Sequence, residues 1–187
     1  MNVVLVGFRG SGKSTIGKLL SERTGREFID CDDFIEKRTN LTIREIFERH
    51  GESHFRTLES EAIAELAKLD GKIVATGGGA VLKYQNMQVF KRAGGLVFFL
   101  KVSPEVAYER IQGDPGTRTR RPALTDKDPA TEIREQITLR APYYLQSADI
   151  VVPVDERTVN DIVDEIARHL SGLSGPGHDQ KDPVPIA

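Results

Sequence analysis

The chain has 187 residues, 39% hydrophobic and 29% charged, a balance that suits one globular domain and excludes both a disulfide-stapled miniature and a wholly disordered chain. Lys and Arg number 26 against 28 Asp and Glu, a net charge of −2, so there is no global positive field to attract nucleic acid. The single Cys31 cannot form an intramolecular disulfide or a cysteine-based zinc site, and no apolar run approaches the ~18 residues of a membrane span. A cytoplasmic monomer with neither membrane nor nucleic-acid partners is the expectation.

In chain order, apolar runs rich in β-branched residues read as buried strands at 3–6, 27–30, 72–76, 96–102 and 149–154. Amphipathic stretches separate them. Ile16, Leu19 and Leu20 recur at helical spacing and stop at Gly25, a good residue just past a helix end. Similar periodicity covers about 42–49, 55–69, 104–111, 130–146 and 158–170. Strand followed by helix, repeated, predicts an α/β domain over residues 1–170 with a parallel sheet covered on both faces. Residues 112–128, rich in Gly, Pro, Thr and Arg, read as a long irregular loop, with a lid at 112–126, and 171–187 as a flexible tail.

The strongest chemical signal is Gly7-Phe8-Arg9-Gly10-Ser11-Gly12-Lys13-Ser14-Thr15, which fits G-x-x-x-x-G-K-[ST] between a strand and a helix. Glycines at these positions let backbone N–H groups surround phosphates, so Gly10, Ser11, Gly12, Lys13, Ser14 and Thr15 are candidate ATP ligands. Lys13 reaches the β/γ-phosphates and the Ser14 hydroxyl is a candidate Mg²⁺ ligand. The second strand ends Asp30-Cys31-Asp32-Asp33. Alternation along a strand places Asp30 and Asp32 on one side at the carboxyl end, where α/β folds bind ligands. One carboxylate then orients Mg²⁺ through water while the other accepts a substrate hydroxyl proton, and Asp33 is the expected N-cap of a helix starting at Phe34. Cys31 between them reads as a small buried apolar residue, and His50, His54, His169 and His178 as surface residues without metal-ligand spacing.

Gly77-Gly78-Gly79 follows the third strand, where backbone free of side chains allows close approach of a ligand. Arg110, Arg118, Arg120 and Arg121 crowd the loop region, and Arg121, held by Pro122, is the best candidate to reach the transferred phosphoryl group from a moving lid. Arg56 and Arg140 stand among apolar helix positions. Residue chemistry leaves two readings for them, a snorkelling side chain or a planar clamp for a carboxylate.

Taken together, GFRGSGKST, FIDCDD, IREIFERHGESHFRTLE, TGGGAV, RRPAL and LRAPYY resemble the shikimate kinase family, over about residues 1–168. The resemblance implies a five-stranded parallel sheet in order 2-3-1-4-5 and transfer of the ATP γ-phosphoryl group to the 3-hydroxyl of shikimate, with Mg²⁺. It implies a substrate region at about 32–60. Asp32, Arg56, Gly78, Gly79 and Arg140 would contact shikimate, with Glu59 holding Arg56 and with Ile43, Phe47 and Phe55 lining the pocket. Asp30 would meet the metal through water, Arg110 would pack on adenine, and Arg121 would act from the lid with Lys13 and Asp32 as the catalytic set. Two other readings remain at this stage: a kinase of the same fold for another hydroxy acid such as gluconate, and a nucleotide-binding regulatory domain without turnover.

Overall fold

The computed structural model describes residues 1–114 and 128–173. It contains strands β1 (Val3–Val6), β2 (Phe28–Asp30), β3 (Ile73–Ala75), β4 (Leu96–Lys101) and β5 (Ile150–Pro153), and helices α1 (Lys13–Thr24), α2 (Cys31–Thr39), α3 (Ile43–Leu66), α4 (Tyr84–Arg92), α5 (Pro104–Gly113), α6 (Pro129–Ser147) and α7 (Val159–Leu173), with a 3₁₀ turn at Ala80–Leu82. The sheet is parallel throughout, in the order β2-β3-β1-β4-β5. Both the order and the class agree with the expectation.

β1 lies at the centre, with Val3 paired to Ile73 on one side and to Leu96 on the other. All four of its residues are fully buried, because each face of a parallel sheet is covered by crossover helices. Strand alternation divides the core in two. Val4, Val6, Val74, Val97 and Phe99 join residues of α2, α3 and α4 in one half, while Val3, Leu5, Phe98 and Leu100 join α1, α5 and α7 in the other.

The helix ends follow their local chemistry. Thr42 and Glu45 form a reciprocal capping box at the start of α3, and Ser103 caps α5, whose first residue is Pro104. The stretches expected as separate helices near 42–49 and 55–69 are two helical segments of α3 that meet at Gly51, whose φ of 79° and ψ of 171° are not helical. α2 starts three residues earlier than expected. Its N-cap is Asp30, whose side chain accepts from the Asp32 N–H at 2.9 Å, so Asp33 is not the cap but a first-turn residue. The premise that Asp30 and Asp32 share one strand face fails for the same reason, since Asp32 is already helical.

α4 and the 3₁₀ turn have no counterpart in the hydrophobic pattern. The inner face of α4 is Asn86, Met87 and Phe90, and the polar member is buried because its amide donates to the Ala80 carbonyl at 2.9 Å. α7 runs on to Leu173, past the expected start of the tail at 171. The rest of that tail lies outside the described residues, as do residues 115–127, which include 115–126 of the lid. No helix among the described residues is long and apolar enough to cross a membrane.

α1 approaches β2 so closely that a Cβ on Gly17 would stand 2.3 Å from the Phe28 ring. Gly17→Ala should therefore destabilise the protein by roughly 1–3 kcal/mol, the usual cost of overpacking, despite the better helix propensity of Ala. Chemical denaturation is the check; an unchanged midpoint would mean that the helix and strand are not in this register.

Candidate active site

The P-loop curls between β1 and α1. Gly10 and Gly12 have φ of 78° and 87°, values that side chains rarely adopt, so the loop can curl this way only with glycine there. Lys13 turns back onto its own loop, donating to the Gly7 and Phe8 carbonyls, each at 2.9 Å. Ser11 is fully buried and serves the loop rather than the cavity wall.

Beside the loop lies an open cavity of about 970 Å³. Of the expected residues, Gly10, Gly12, Lys13, Ser14, Thr15, Asp30, Asp32, Gly78 and Arg110 line it. Arg110 also donates to the carbonyls of Gly10 and Val154, at 3.2 and 3.1 Å. Arg9, Glu36, Thr42, Arg44 and Asp114 join the wall without having been singled out. Arg9 occupies a variable position of the P-loop motif; its partner Glu132, 3.4 Å away and 5% exposed, comes from α6. No local pattern signals that pairing across 123 positions. Ile43 and Phe55 do not line the cavity: both are fully buried in the core beneath it. Phe47, partly buried, packs on Phe55 with ring centroids 4.9 Å apart.

Three carboxylates, from Asp30, Asp32 and Asp33, face this cavity together. Burial first, then repulsion from Asp32, pushes the Asp30 pKa above the ordinary value of 3.8, against the hydrogen bonds from Ser14 and the Asp32 N–H. The Ser14 hydroxyl donates to Asp30 Oδ2 at 2.8 Å. A hydroxyl and a crowded carboxylate beside a phosphate-binding loop make an oxygen donor set that fits Mg²⁺, which takes one or two protein ligands and keeps waters and phosphate oxygens for the rest.

The glycine turn after β3 is flanked by two guanidiniums. Arg56 lies so close over Gly79 that a Cβ there would meet it at 2.5 Å. Arg56 pairs with the buried Glu59 at 2.8 Å and with Glu52 at 2.9 Å. Burial opposes its charge, but Glu59 and Glu52 outweigh this and raise its pKa. Arg140, 7% exposed, reaches the Gly78 carbonyl at 3.4 Å and lies over the Phe8 ring. The two arginines thus reach adjacent glycines, of which Gly78 lines the cavity, while Gly79, Arg56 and Arg140 themselves do not. Arg118, Arg120 and Arg121 lie outside the described residues.

A parallel sheet with this loop at the end of its central strand, a hard-cation donor pair and a cleft bearing carboxylates and guanidiniums define a P-loop kinase of small molecules. The sequence model of shikimate kinase matches residues 9–171. Shikimate kinases of Geobacter sulfurreducens and Symbiobacterium thermophilum are 45% and 42% identical, over 89% and 91% of this chain and 88% and 96% of theirs. The structure of shikimate kinase from Acinetobacter baumannii in complex with shikimate superposes with a TM-score of 0.83 at 33% identity, covering 92% of this chain and 93% of that one. The chain belongs to the shikimate kinase family.

Crowded carboxylates make a stability prediction. A carboxyl whose pKa is raised by folding favours the folded state while protonated, and that contribution is lost as pH rises through the raised value. In metal-free buffer at neutral pH, Asp30→Asn should melt at or above the wild-type temperature, since Asn caps a helix as well as Asp. The gap should close below the ordinary carboxylate range, and added Mg²⁺ and ATP should stabilise the wild type more than the variant. A variant that melts well below the wild type in metal-free neutral buffer contradicts this electrostatic picture.

Proposed function

We propose that the protein phosphorylates the 3-hydroxyl of shikimate with ATP, giving shikimate 3-phosphate and ADP. The observation that carries this reading is the convergence of Arg56 and Arg140 on the Gly78–Gly79 backbone beside Asp32 and the P-loop. Paired guanidiniums suit a substrate with a carboxylate, and Asp32 stands where a hydroxyl next to the γ-phosphate could be received. The shikimate bound to the Acinetobacter baumannii relative supports the same assignment.

In this reading Gly10, Ser11, Gly12 and Thr15 bind the phosphates through the curled loop. Lys13 exchanges the Gly7 and Phe8 carbonyls for phosphate oxygens, so the charge needed in the transition state is already held at the site. Ser14, and Asp30 through water, would hold Mg²⁺, which would supply neutralisation of phosphate charge. Asp32 orients the attacking hydroxyl and takes its proton. Arg110 lies against the adenine end, and Arg121 completes the catalytic set from a lid at about 112–126. Arg56 and Arg140 hold the shikimate carboxylate while the Gly78 and Gly79 backbone fits the ring closely, and Glu59 fixes Arg56. A cytoplasmic monomer whose single domain ends near residue 170, with residues 32–60 as its substrate region, accommodates all of these roles. Nothing in this scheme needs nucleic acid or a membrane.

The test is ADP release with a panel of hydroxy acids that includes shikimate and gluconate. Shikimate should be turned over far faster than the others; comparable turnover of gluconate, or none of any acid, overturns the reading. Asp32→Asn should lower kcat by roughly 10²–10⁴, the range for loss of a general base, with little change in the KM for ATP. Turnover within a few-fold of wild type would remove Asp32 from proton transfer.

A further inference from the structure

Arg140 is nearly buried, no carboxylate among the described residues pairs with it, and its Nε–H has no partner. A desolvated guanidinium in that state is held ready for an anion, because burial without a counter-charge is unfavourable. One of its terminal nitrogens donates to the Gly78 carbonyl in a long hydrogen bond, at 3.4 Å. That carbonyl also accepts from the Tyr144 hydroxyl, in the shorter of its two hydrogen bonds.

Tyr144 stands one turn beyond Arg140 on α6, so both side chains lie on the same helix face. Its ring is 1% exposed and stacks on Phe99, with centroids 4.8 Å apart and planes at 14°. A ring so buried and stacked leaves its hydroxyl little freedom to move. Phe99 belongs to β4 and Gly78 to the turn after β3, so the hydroxyl also ties α6 to the sheet at the substrate edge.

We propose that Tyr144 is a positioning residue for substrate selection, an inference that rests on the shikimate reading above. By making the stronger hydrogen bond to the Gly78 carbonyl it keeps the Arg140 bond to the same oxygen long, so that the guanidinium can turn to the substrate carboxylate, and it holds the Gly78 peptide plane against which the ring sits. Without the hydroxyl, the long Arg140 bond to the carbonyl shortens, since a buried acceptor that has lost its stronger donor gains by tightening the bond that remains. Arg140 then presents fewer donors, in a different direction, to the incoming carboxylate.

The experiment compares kcat/KM for shikimate and for its methyl ester, which keeps the hydroxyls and loses the carboxylate charge, in the wild type, Tyr144→Phe and Arg140→Ala. The ratio of the two values does not depend on the fraction of active enzyme. Tyr144→Phe should lower the acid-over-ester preference about fivefold, the equivalent of one net hydrogen bond, mainly through the KM for shikimate and with the KM for ATP unchanged. Arg140→Ala should abolish most of the preference. Phe99→Leu, which frees the Tyr144 ring without removing its hydroxyl, should lower the preference in the same direction and serves as the second variant if Tyr144→Phe folds poorly. An unchanged ratio in Tyr144→Phe or Phe99→Leu alongside a collapsed ratio in Arg140→Ala overturns the role of Tyr144 and leaves the shikimate reading standing. An unchanged ratio in Arg140→Ala overturns both. Equal losses on acid and ester in Tyr144→Phe mean a purely structural tyrosine, which also overturns the proposal.

Discussion

The pairing of β1 with β3 continues past the ends of the strands: Thr76 donates its backbone N–H to the Leu5 carbonyl at 3.1 Å and its hydroxyl to the same oxygen at 3.3 Å. That continuation brings two glycine-bearing loops side by side. A Cβ on Gly78 would stand 3.5 Å from the Gly7 carbonyl and 3.7 Å from the Arg9 nitrogen. The P-loop and the glycine turn after β3 are therefore neighbours because two buried strands are in parallel register. Every other component of the cleft is placed relative to this seam.

Helices bring charge to the seam in two ways. α2 starts at Asp30, so its first turn carries Asp32 and Asp33 into the cavity at the helix end where negative charge is favoured. α3 and α6 bring arginines instead, and each is handled differently. Arg56 is balanced by Glu59 and Glu52 and held over Gly79. Arg140 has aromatic and backbone neighbours but no carboxylate among the described residues, so its charge is left for a ligand. One guanidinium is braced and the other is available, an asymmetry that fits one fixed wall and one responsive contact.

Much of this was legible in the chain. β1 and the P-loop announce themselves because a four-residue apolar strand, a glycine loop and Lys13-Ser14 occur in immediate succession. The strand order came from the family resemblance and not from periodicity, which says nothing about which strands are neighbours. The start of α2 was misread because Asp30 serves at once as strand end, helix cap and Ser14 partner, three roles that a single carboxylate does not advertise. α4 was missed because a buried Asn86 interrupts its apolar face. Arg9 and Tyr144 escaped notice because their importance comes from contacts at separations of 123 and 66 residues, with Glu132 and Gly78.

In the proposed reaction a carboxylate is received between the two arginines beside the glycine turn. A crystal structure of the protein with shikimate and ADP tests it most directly. The account predicts the carboxylate oxygens within about 3.2 Å of guanidinium nitrogens of both Arg56 and Arg140, with the 3-hydroxyl directed at Asp32. A bound shikimate whose carboxylate faces Lys13 or solvent, with both guanidiniums still on their present protein partners, would contradict it.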